Sequence, residues 1–354
     1  MIEFHKILIV WYQQNQRALP WRTKNDPYFV WVSEIILQQT RVNQGTSYFL
    51  RFIEKFPDVK ALASADENEV LKLWQGLGYY SRARNMHFAA RQIINEFNGR
   101  FPDNIINIKK LKGIGDYTSA AIASIAFGLP YAAIDGNVYR VLSRIFGIDT
   151  PIDSTQGKKE FKNLATELLD RVNPGIFNEA LMEFGALHCT PRNPGCDFCP
   201  FRDRCLAFLT NETAKFPVKS KKTKIKNRFF NYMYIKHEEY IHLEKRETND
   251  IWRNLYQLPM IESEKALTVG ELINNEEFIS IFKENQITVG ALGPGIIHLL
   301  SHQKLHVQFI EITILKPGIN PQWIKVLSDQ IHQYPVPKVI YNYLSDDDRN
   351  ILLE

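Results

Sequence analysis

Leu111-Lys112-Gly113-Ile114-Gly115-Asp116-Tyr117-Thr118, continued to Asp135-Gly136-Asn137, is the stretch on which the reading of this chain turns. Ile105 to Leu111 reads as a short helix, and Thr118 to Phe127, rich in Ala and Ile, reads as a second. Gly113 and Gly115 between them are expected to take positive φ, which residues without a Cβ adopt freely. The pattern is a helix–hairpin–helix. Its glycines let another backbone approach closely, and the second helix offers unpaired N–H groups at the positive end of its dipole. Such a turn can hold a phosphate without a charged side chain. An ordinary turn between two helices is the alternative while the glycines stand alone.

Upstream of the hairpin, Asp26-Pro27 is a strong helix start, with Asp at the N-cap and Pro at the first helical position. The helix is expected from Tyr28 to about Thr40. At 3.6 residues per turn, Phe29, Val30, Trp31, Val32, Ile35, Ile36 and Leu37 cover most of its circumference, as in a buried helix. Glu34 sits among them. A carboxyl group that loses its solvation there holds a proton closer to neutrality, as a general acid requires. A structural ion pair with a buried arginine is the competing reading. Downstream, Asp135 precedes a helical run from Val138 to Phe146, where a helix cap is its plainest role.

The four cysteines, Cys189, Cys196, Cys199 and Cys205, form a Cys-x6-Cys-x2-Cys-x5-Cys pattern within one short stretch. Four thiolates so close together point to a four-ligand metal site. The spacing alone leaves zinc and iron–sulfur open. Arg192, Arg202 and Arg204 add positive charge to the same stretch.

LKGIGDYTSAAI followed by AIDGNVYRVLSR, with SEIILQQTRV upstream, resembles the helix–hairpin–helix DNA glycosylases and, among them, the MutY-type adenine DNA glycosylases. The resemblance extends over nearly the whole chain. It implies catalytic roles for Glu34 and Asp135, with Tyr117 and Asn137 orienting them. It places Arg22, in Leu19-Pro20-Trp21-Arg22, near the target base, and Glu179 at the adenine's exocyclic amine. It makes Gln39 and Thr40 part of the active-site helix, where amide side chains could fill the gap left by an extruded base. It identifies the cysteine spacing with the 4Fe–4S loop of the endonuclease III and MutY families, and hence implies a structural 4Fe–4S cluster. Where bifunctional relatives carry an amine nucleophile, a lysine, this chain has Tyr117. A phenol cannot form a Schiff base, so the resemblance implies a monofunctional glycosylase that leaves the strand intact. Lys109, Lys110 and Lys112 lie nearby in sequence and leave a slow lyase activity open.

Trp74-Gln75-Gly76-Leu77-Gly78-Tyr79-Tyr80-Ser81-Arg82-Ala83-Arg84 frees a turn with two glycines. Leu77 and Tyr79 suit a wedge between stacked bases, and Arg82 and Arg84 could reach phosphates. Core packing is the alternative for Leu77 and Tyr79. From Thr210 to Arg228, seven cations (Lys215, Lys219, Lys221, Lys222, Lys224, Lys226 and Arg228) are interspersed with Ser, Thr and Asn, as in a solvated linker. Residues 215–228 are taken as that linker. It separates an α-helical domain over 1–214 from a domain over 229–354. A basic tether would add salt-dependent affinity for DNA.

Beyond Phe229 the period changes to two. Asn231 to Ile235 and Tyr240 to Lys245 read as a hairpin, and His306 to Leu315 as a strand with Ile310, Ile312 and Ile314 on one face. Glu271 to Glu284 and Gln322 to Gln330 read as helices. The expected fold class is therefore multidomain: an all-α glycosylase domain with an iron–sulfur loop, then a small α+β domain. Trp252 to Pro259 resembles a segment of the family's Nudix-like C-terminal domain, although Asp250-Ile251 stands where Gly-Leu is usual. No Gly-x5-Glu-x7-Arg-Glu pattern occurs, which argues against pyrophosphohydrolase activity. Leu300-Ser301-His302 resembles the family's Phe-Ser-His loop, which senses 8-oxoguanine. Ser301 and His302 are thus implied contacts, and Leu300 keeps an apolar wedge without aromatic stacking.

The totals set limits. At 354 residues, 45% hydrophobic and 23% charged, the composition is that of a globular protein of about two domains. A net charge of +4 does not by itself argue for nucleic acid. No apolar run is long enough for a membrane span, and the start lacks the order of a signal peptide. A cytoplasmic monomer is expected. Its expected partner is double-stranded DNA containing 8-oxoguanine:adenine or guanine:adenine mispairs. Three other readings stay open: a bifunctional glycosylase/lyase, a non-catalytic iron–sulfur DNA-binding protein, and a nucleotide-binding Nudix module.

Overall fold

The computed structural model describes residues 2–220, 225–316 and 323–345. The helices of its first two hundred residues are α1 (Ile2–Asn15), α2 (Pro27–Leu37), α3 (Val42–Lys55), α4 (Val59–Ser64), α5 (Glu67–Leu73), α6 (Ser81–Glu96), α7 (Ile105–Lys110), α8 (Asp116–Phe127), α9 (Gly136–Phe146), α10 (Thr155–Leu168), α11 (Pro174–Leu187) and α12 (Leu206–Leu209). The chain divides into two compact units, Met1–Ala65 with Asn85–Lys221 and Asp66–Arg84 with Lys222–Glu354. The break at Lys221 lies inside the stretch read as a linker. Residues 66–84, read as part of the helical domain, belong instead to the second unit. Within that unit Asn254 donates to Glu67 at 2.6 Å, and Arg84 to the Arg253 carbonyl at 2.6 Å.

In the first unit, α2 lies against α3 and α8, and α11 packs on α1, α8 and α9. Phe161, Phe177, Leu181, Phe184 and Phe201 fill one core between these helices. The helix starts are those the residues dictate. Asp26 accepts from the Tyr28 N–H at 2.8 Å to cap α2, and Asp135 accepts from the Val138 N–H at 2.8 Å to cap α9. The α2 helix stops at Leu37 rather than near Thr40. Gln39 takes a φ of +59°, and the Thr40 N–H turns back to the Leu37 carbonyl at 3.2 Å. No glycine or proline advertises that stop.

In the second unit the strands are β1 (Lys226–His237), β2 (Tyr240–Lys245), β3 (Tyr256–Gln257), β4 (Met260–Ser263), β5 (Gln286–Leu292), β6 (Ile296–Leu299), β7 (Gln303–Lys316) and β8 (Trp323–Leu327). The sheet is mixed. β1 and β7 run parallel at its centre, with Phe230 opposite Val307 and Tyr232 opposite Phe309. β2 and β4 pair antiparallel with β1, and β5 and β6 antiparallel with β7. Alternation splits the side chains between two cores. Phe230, Tyr232, Tyr234, Val307 and Phe309 face α15 (Lys338–Leu344). Met233, Ile235, Ile310, Ile312 and Ile314 face α13 (Val269–Ile273) and α14 (Glu276–Phe282). The single helix expected over Glu271 to Glu284 is thus two, divided where Asn275 caps α14 by accepting from the Glu277 N–H at 2.9 Å. The helix expected from Gln322 to Gln330 is instead β8 followed by a 3-10 turn at Ser328–Gln333, with Gln322 itself outside the described residues. Pairing with β2, Ile241 opposite Val326, overrides the local helical pattern.

Two expectations about charge and backbone change. Arg228 is not a solvated linker cation. It is buried in β1, bidentate to Glu262 (2.7 and 2.6 Å) and to Asp250 (2.9 and 2.7 Å). Asp250 also accepts from Arg246 at 2.8 Å, so the residue that replaces the usual glycine holds two arginines together. Lys221, Lys222 and Lys224 lie outside the described residues. In the hairpin, Gly113 has a φ of +82°, but Gly115 has a φ of −95° and serves as the N-cap of α8. No helix among the described residues is long and apolar enough to cross a membrane.

Candidate active site and cysteine loop

Four helices and a short turn deliver side chains to one cavity of about 510 Å³ in the first unit, a size suited to a small ligand. Glu34 comes from α2, Tyr117 from the first turn of α8, Asp135 and Asn137 from the start of α9, and Glu179 from α11. Arg22 comes from a 3-10 turn at Pro20–Arg22. Gln39 and Thr40, past the end of α2, also line it. Residues from positions 22 to 179 therefore line one cavity.

The electrostatics separate the two central carboxyl groups. Burial pushes Glu34 up to about 7; the Tyr117 hydroxyl, hydrogen-bonded to its Oε2, and the Arg22 charge work against that, and the Asp135 and Glu179 charges work with it. Burial also holds the Tyr117 phenol well above its ordinary value, so it stays a donor. Its oxygen is 3.2 Å from the Met182 sulfur. Asp135 is likewise raised by burial, but its anion is opposed to that by donors: the Val138 N–H at 2.8 Å, the Asn137 amide at 2.6 Å and the Asn137 N–H. The Asp135 charge adds to the rise at Glu34, and of two neighbouring buried carboxyl groups the one with fewer donors is the better placed to keep the proton. That is Glu34.

Asn137 is itself held. Its Oδ1 accepts from Arg140 at 2.8 Å, and the same guanidinium donates to the carbonyls of Gly185 (2.7 Å) and Cys189 (2.8 Å). The approach of α11 to α9 depends on Gly185, where a Cβ would come within 2.6 Å of the Asn137 Cβ.

The structural ion pair considered for a buried acid does occur here, but at a residue the sequence reading did not select. Glu183 accepts from Arg17 at 2.8 and 2.7 Å and from Arg22 at 3.0 Å, while Arg22 lies 3.2 Å from Glu179. The available signal was spacing: Glu183 is four residues beyond Glu179, on the same face of a helix.

Arg140 and Arg144 of α9 also reach the cysteine loop. Arg144 donates to the Thr190 carbonyl at 2.7 Å and lies 3.4 Å from the Cys189 sulfur. None of the four cysteines is in a disulfide. Burial pushes the Cys196, Cys199 and Cys205 thiols up, Cys199 to about 12, and the charges of neighbouring cysteines push further. Thiolates gathered this way repel one another and are stable only around added positive charge, so a set of four cysteine sulfurs suits a thiolate-bound metal or cluster. No three described side chains gather round a single ion position.

In the second unit, Leu77, Tyr79, Ser301 and His302 line a separate cavity of about 430 Å³, together with Trp252 and His298. The hydroxyls of Tyr79 and Ser301 share a hydrogen bond. Tyr79 is half exposed, with a φ of +48°, while Leu77 is partly buried. Arg82 and Arg84 turn inward: Arg82 lies over the rings of Trp74 and Tyr79 and donates to the Gly78 carbonyl at 3.2 Å.

The fold and this cavity define a base-excision DNA repair protein of the helix–hairpin–helix class. Residues 32–170 match the family described as HhH-GPD superfamily base excision DNA repair protein, and residues 231–346 match the NUDIX domain family. The adenine DNA glycosylase of Buchnera aphidicola (subsp. Acyrthosiphon pisum) is 35% identical over 351 residues, covering 96% of this chain and 97% of the relative. That of Mus musculus is 43% identical over 214 residues, 58% of this chain and 42% of the relative. Among solved structures, a thermostable thymine-DNA glycosylase superposes with a TM-score of 0.55 at 30% identity, over 59% of this chain and 96% of that one. A non-covalent endonuclease III–DNA complex shares the fold, with a TM-score of 0.51 at 21% identity over 59% and 97%. The chain belongs to the MutY-type adenine DNA glycosylases.

Proposed function

We propose that this protein excises adenine from mispairs with 8-oxoguanine, and with guanine, by hydrolysing the bond between base and sugar. The observation that carries the reading is the division of labour between Glu34 and Asp135 in one cavity. Adenine, extruded from the duplex, occupies that cavity. Glu34, protonated and hydrogen-bonded to Tyr117, gives its proton to adenine N7 and makes the base a better leaving group. Positive charge then develops at the sugar. Asp135, ionised and held by Asn137 and the Val138 N–H, stabilises that charge until the oxygen of a water bonds to the sugar carbon and gives up its proton to a carboxylate of the cavity. The arrangement parallels the two-carboxylate logic of glycosidases. Glu179 accepts from the exocyclic amine, and Gln39 and Thr40 act at the mouth of the cavity. The hairpin at Gly113 and Gly115 holds a phosphate.

Tyr117 in the place of a nucleophilic lysine supports a monofunctional enzyme. Leu77 and Tyr79 open the duplex, and Tyr79 with Ser301 and His302 reads the base opposite the adenine; their shared cavity supports that reading. A 4Fe–4S cluster on Cys189, Cys196, Cys199 and Cys205 would supply the positive charge that the thiolates need. It would brace α9 through Arg140 and Arg144.

Single-turnover incubations with adenine opposite 8-oxoguanine, guanine and thymine, with and without alkali, test the proposal. Alkali-dependent cleavage at adenine, strongest opposite 8-oxoguanine, is expected. Cleavage without alkali would return the lyase reading. Tight mispair binding with no base release would leave a binding protein.

A further inference from the structure

The cavity contains a fourth carboxylate that the proposed chemistry does not use. Glu183 is 2% exposed. Its Oε1 accepts from the Arg17 backbone N–H at 3.1 Å and from Arg17 Nε at 2.8 Å. Its Oε2 accepts from Arg17 Nη2 at 2.7 Å and Arg22 Nη2 at 3.0 Å. Four donors, two guanidinium groups among them, keep it ionised: despite burial, it is held down to about 2. Arg22 is committed at three points, with Nη2 on Glu183, Nη1 on the Arg17 carbonyl at 3.2 Å and Nε 3.2 Å from Glu179. Glu179 also accepts from the Tyr12 hydroxyl at 3.4 Å.

We infer that Glu183 is a positioning residue for base selection: it draws Arg17 and Arg22 to itself, so that Arg22 braces Glu179 rather than offering donors to the base. The inference rests on the proposed contact of Glu179 with the adenine amine. The chemistry is a matter of polarity. Adenine presents a hydrogen-bond donor at its 6-position, so the wall facing it must accept. A guanidinium released into the cavity would present donors instead and would draw the Glu179 carboxylate away. A site built to meet a polar group discriminates through that group, because a misplaced or missing partner leaves buried polar atoms unpaired.

The test compares single-turnover release of adenine with release of unsubstituted purine, which lacks the amine, from otherwise identical duplexes opposite 8-oxoguanine. In Glu183→Gln the adenine rate is expected to fall roughly 10- to 100-fold while the purine rate changes less than about threefold, as for a misplaced positioning group. Equal loss on both substrates, or no loss on either, overturns the inference, because a purely structural role does not distinguish them. Breaking a buried pair can unfold a protein, so Arg17→Lys is measured beside it. It keeps the charge but not the fork, and its adenine-to-purine ratio should also fall. An unchanged ratio there overturns the inference even if the Gln variant does not fold. Glu179→Gln separates the two ideas. If it leaves the ratio unchanged, the amine contact fails and the inference fails with it. If it collapses the ratio while Glu183→Gln does not, only the role of Glu183 is lost.

Discussion

Glu34, the proposed general acid, illustrates how a residue placed for chemistry can be costly for the fold. Its folded-state value of about 7 lies above its ordinary 4.5, so the folded protein binds the proton more tightly than the unfolded chain does. Ionising Glu34 therefore costs stability above pH 7, and the cost fades as pH falls from 7 towards 4.5. A shift of that size corresponds to a penalty on the order of 3 kcal/mol. Glu34→Gln, which cannot ionise, should lose turnover and yet melt higher than the parent at pH 8. That advantage should shrink to about a quarter by pH 5, as calorimetry across that range would reveal; an equal advantage at both pH values would argue against a strained carboxyl group. In the parent, the excision rate should fall about tenfold per pH unit on the alkaline side of 7, where the acid has lost its proton. The sequence exposed Glu34 because an acid stood out in an apolar helix. It concealed Glu183, because an acid on the same face of α11 looks no different from its neighbour until the arginines that bind it are in place.

At the scale of the element, the hairpin between α7 and α8 gives its two glycines different tasks. Gly113 has a positive φ, and a Cβ there would meet the Asn85 Cβ at 2.7 Å. Gly115 lies at an ordinary φ, and a Cβ there would meet nothing within 4 Å. Gly113→Ala should destabilise the helical unit by about 1–3 kcal/mol, from left-handed strain and the close contact. Gly115→Ala should leave the melting temperature nearly unchanged. If the duplex backbone does approach Gly115, that second variant should still bind DNA more weakly, and undiminished affinity in a titration would remove Gly115 from the phosphate site. The pair of glycines was plain in the sequence. Which of them the fold itself requires was not, because φ depends on how α6, carrying Asn85, packs against the turn.

Over the whole molecule, the proposed function is divided between units. The helical unit carries the cavity lined by Glu34 and Asp135 and the cysteine loop, and the second unit gathers Leu77, Tyr79, Ser301 and His302. Replacing Ser301 and His302 together with Ala should narrow the preference for 8-oxoguanine over guanine while leaving the rate opposite guanine within about threefold, since no group in the catalytic cavity is altered. An unchanged preference in paired single-turnover assays would take that loop out of the recognition argument. Several features were determined by sequence alone. The hairpin, the capped helices beginning at Pro27 and Gly136, the four-cysteine loop and the change to strand periodicity near 229 all follow from local chemistry: backbone freedom, capping geometry, ligand spacing and side-chain alternation. Tertiary structure alone decided which chain segments meet. It placed residues 66–84 in the second unit, made β8 of Trp323–Leu327, withdrew Arg228 from the linker into ion pairs with Glu262 and Asp250, and closed Glu183 on Arg17 and Arg22. Those outcomes depend on partners far away along the chain, and the stability of a buried charge or an edge strand is set by the partner it finds.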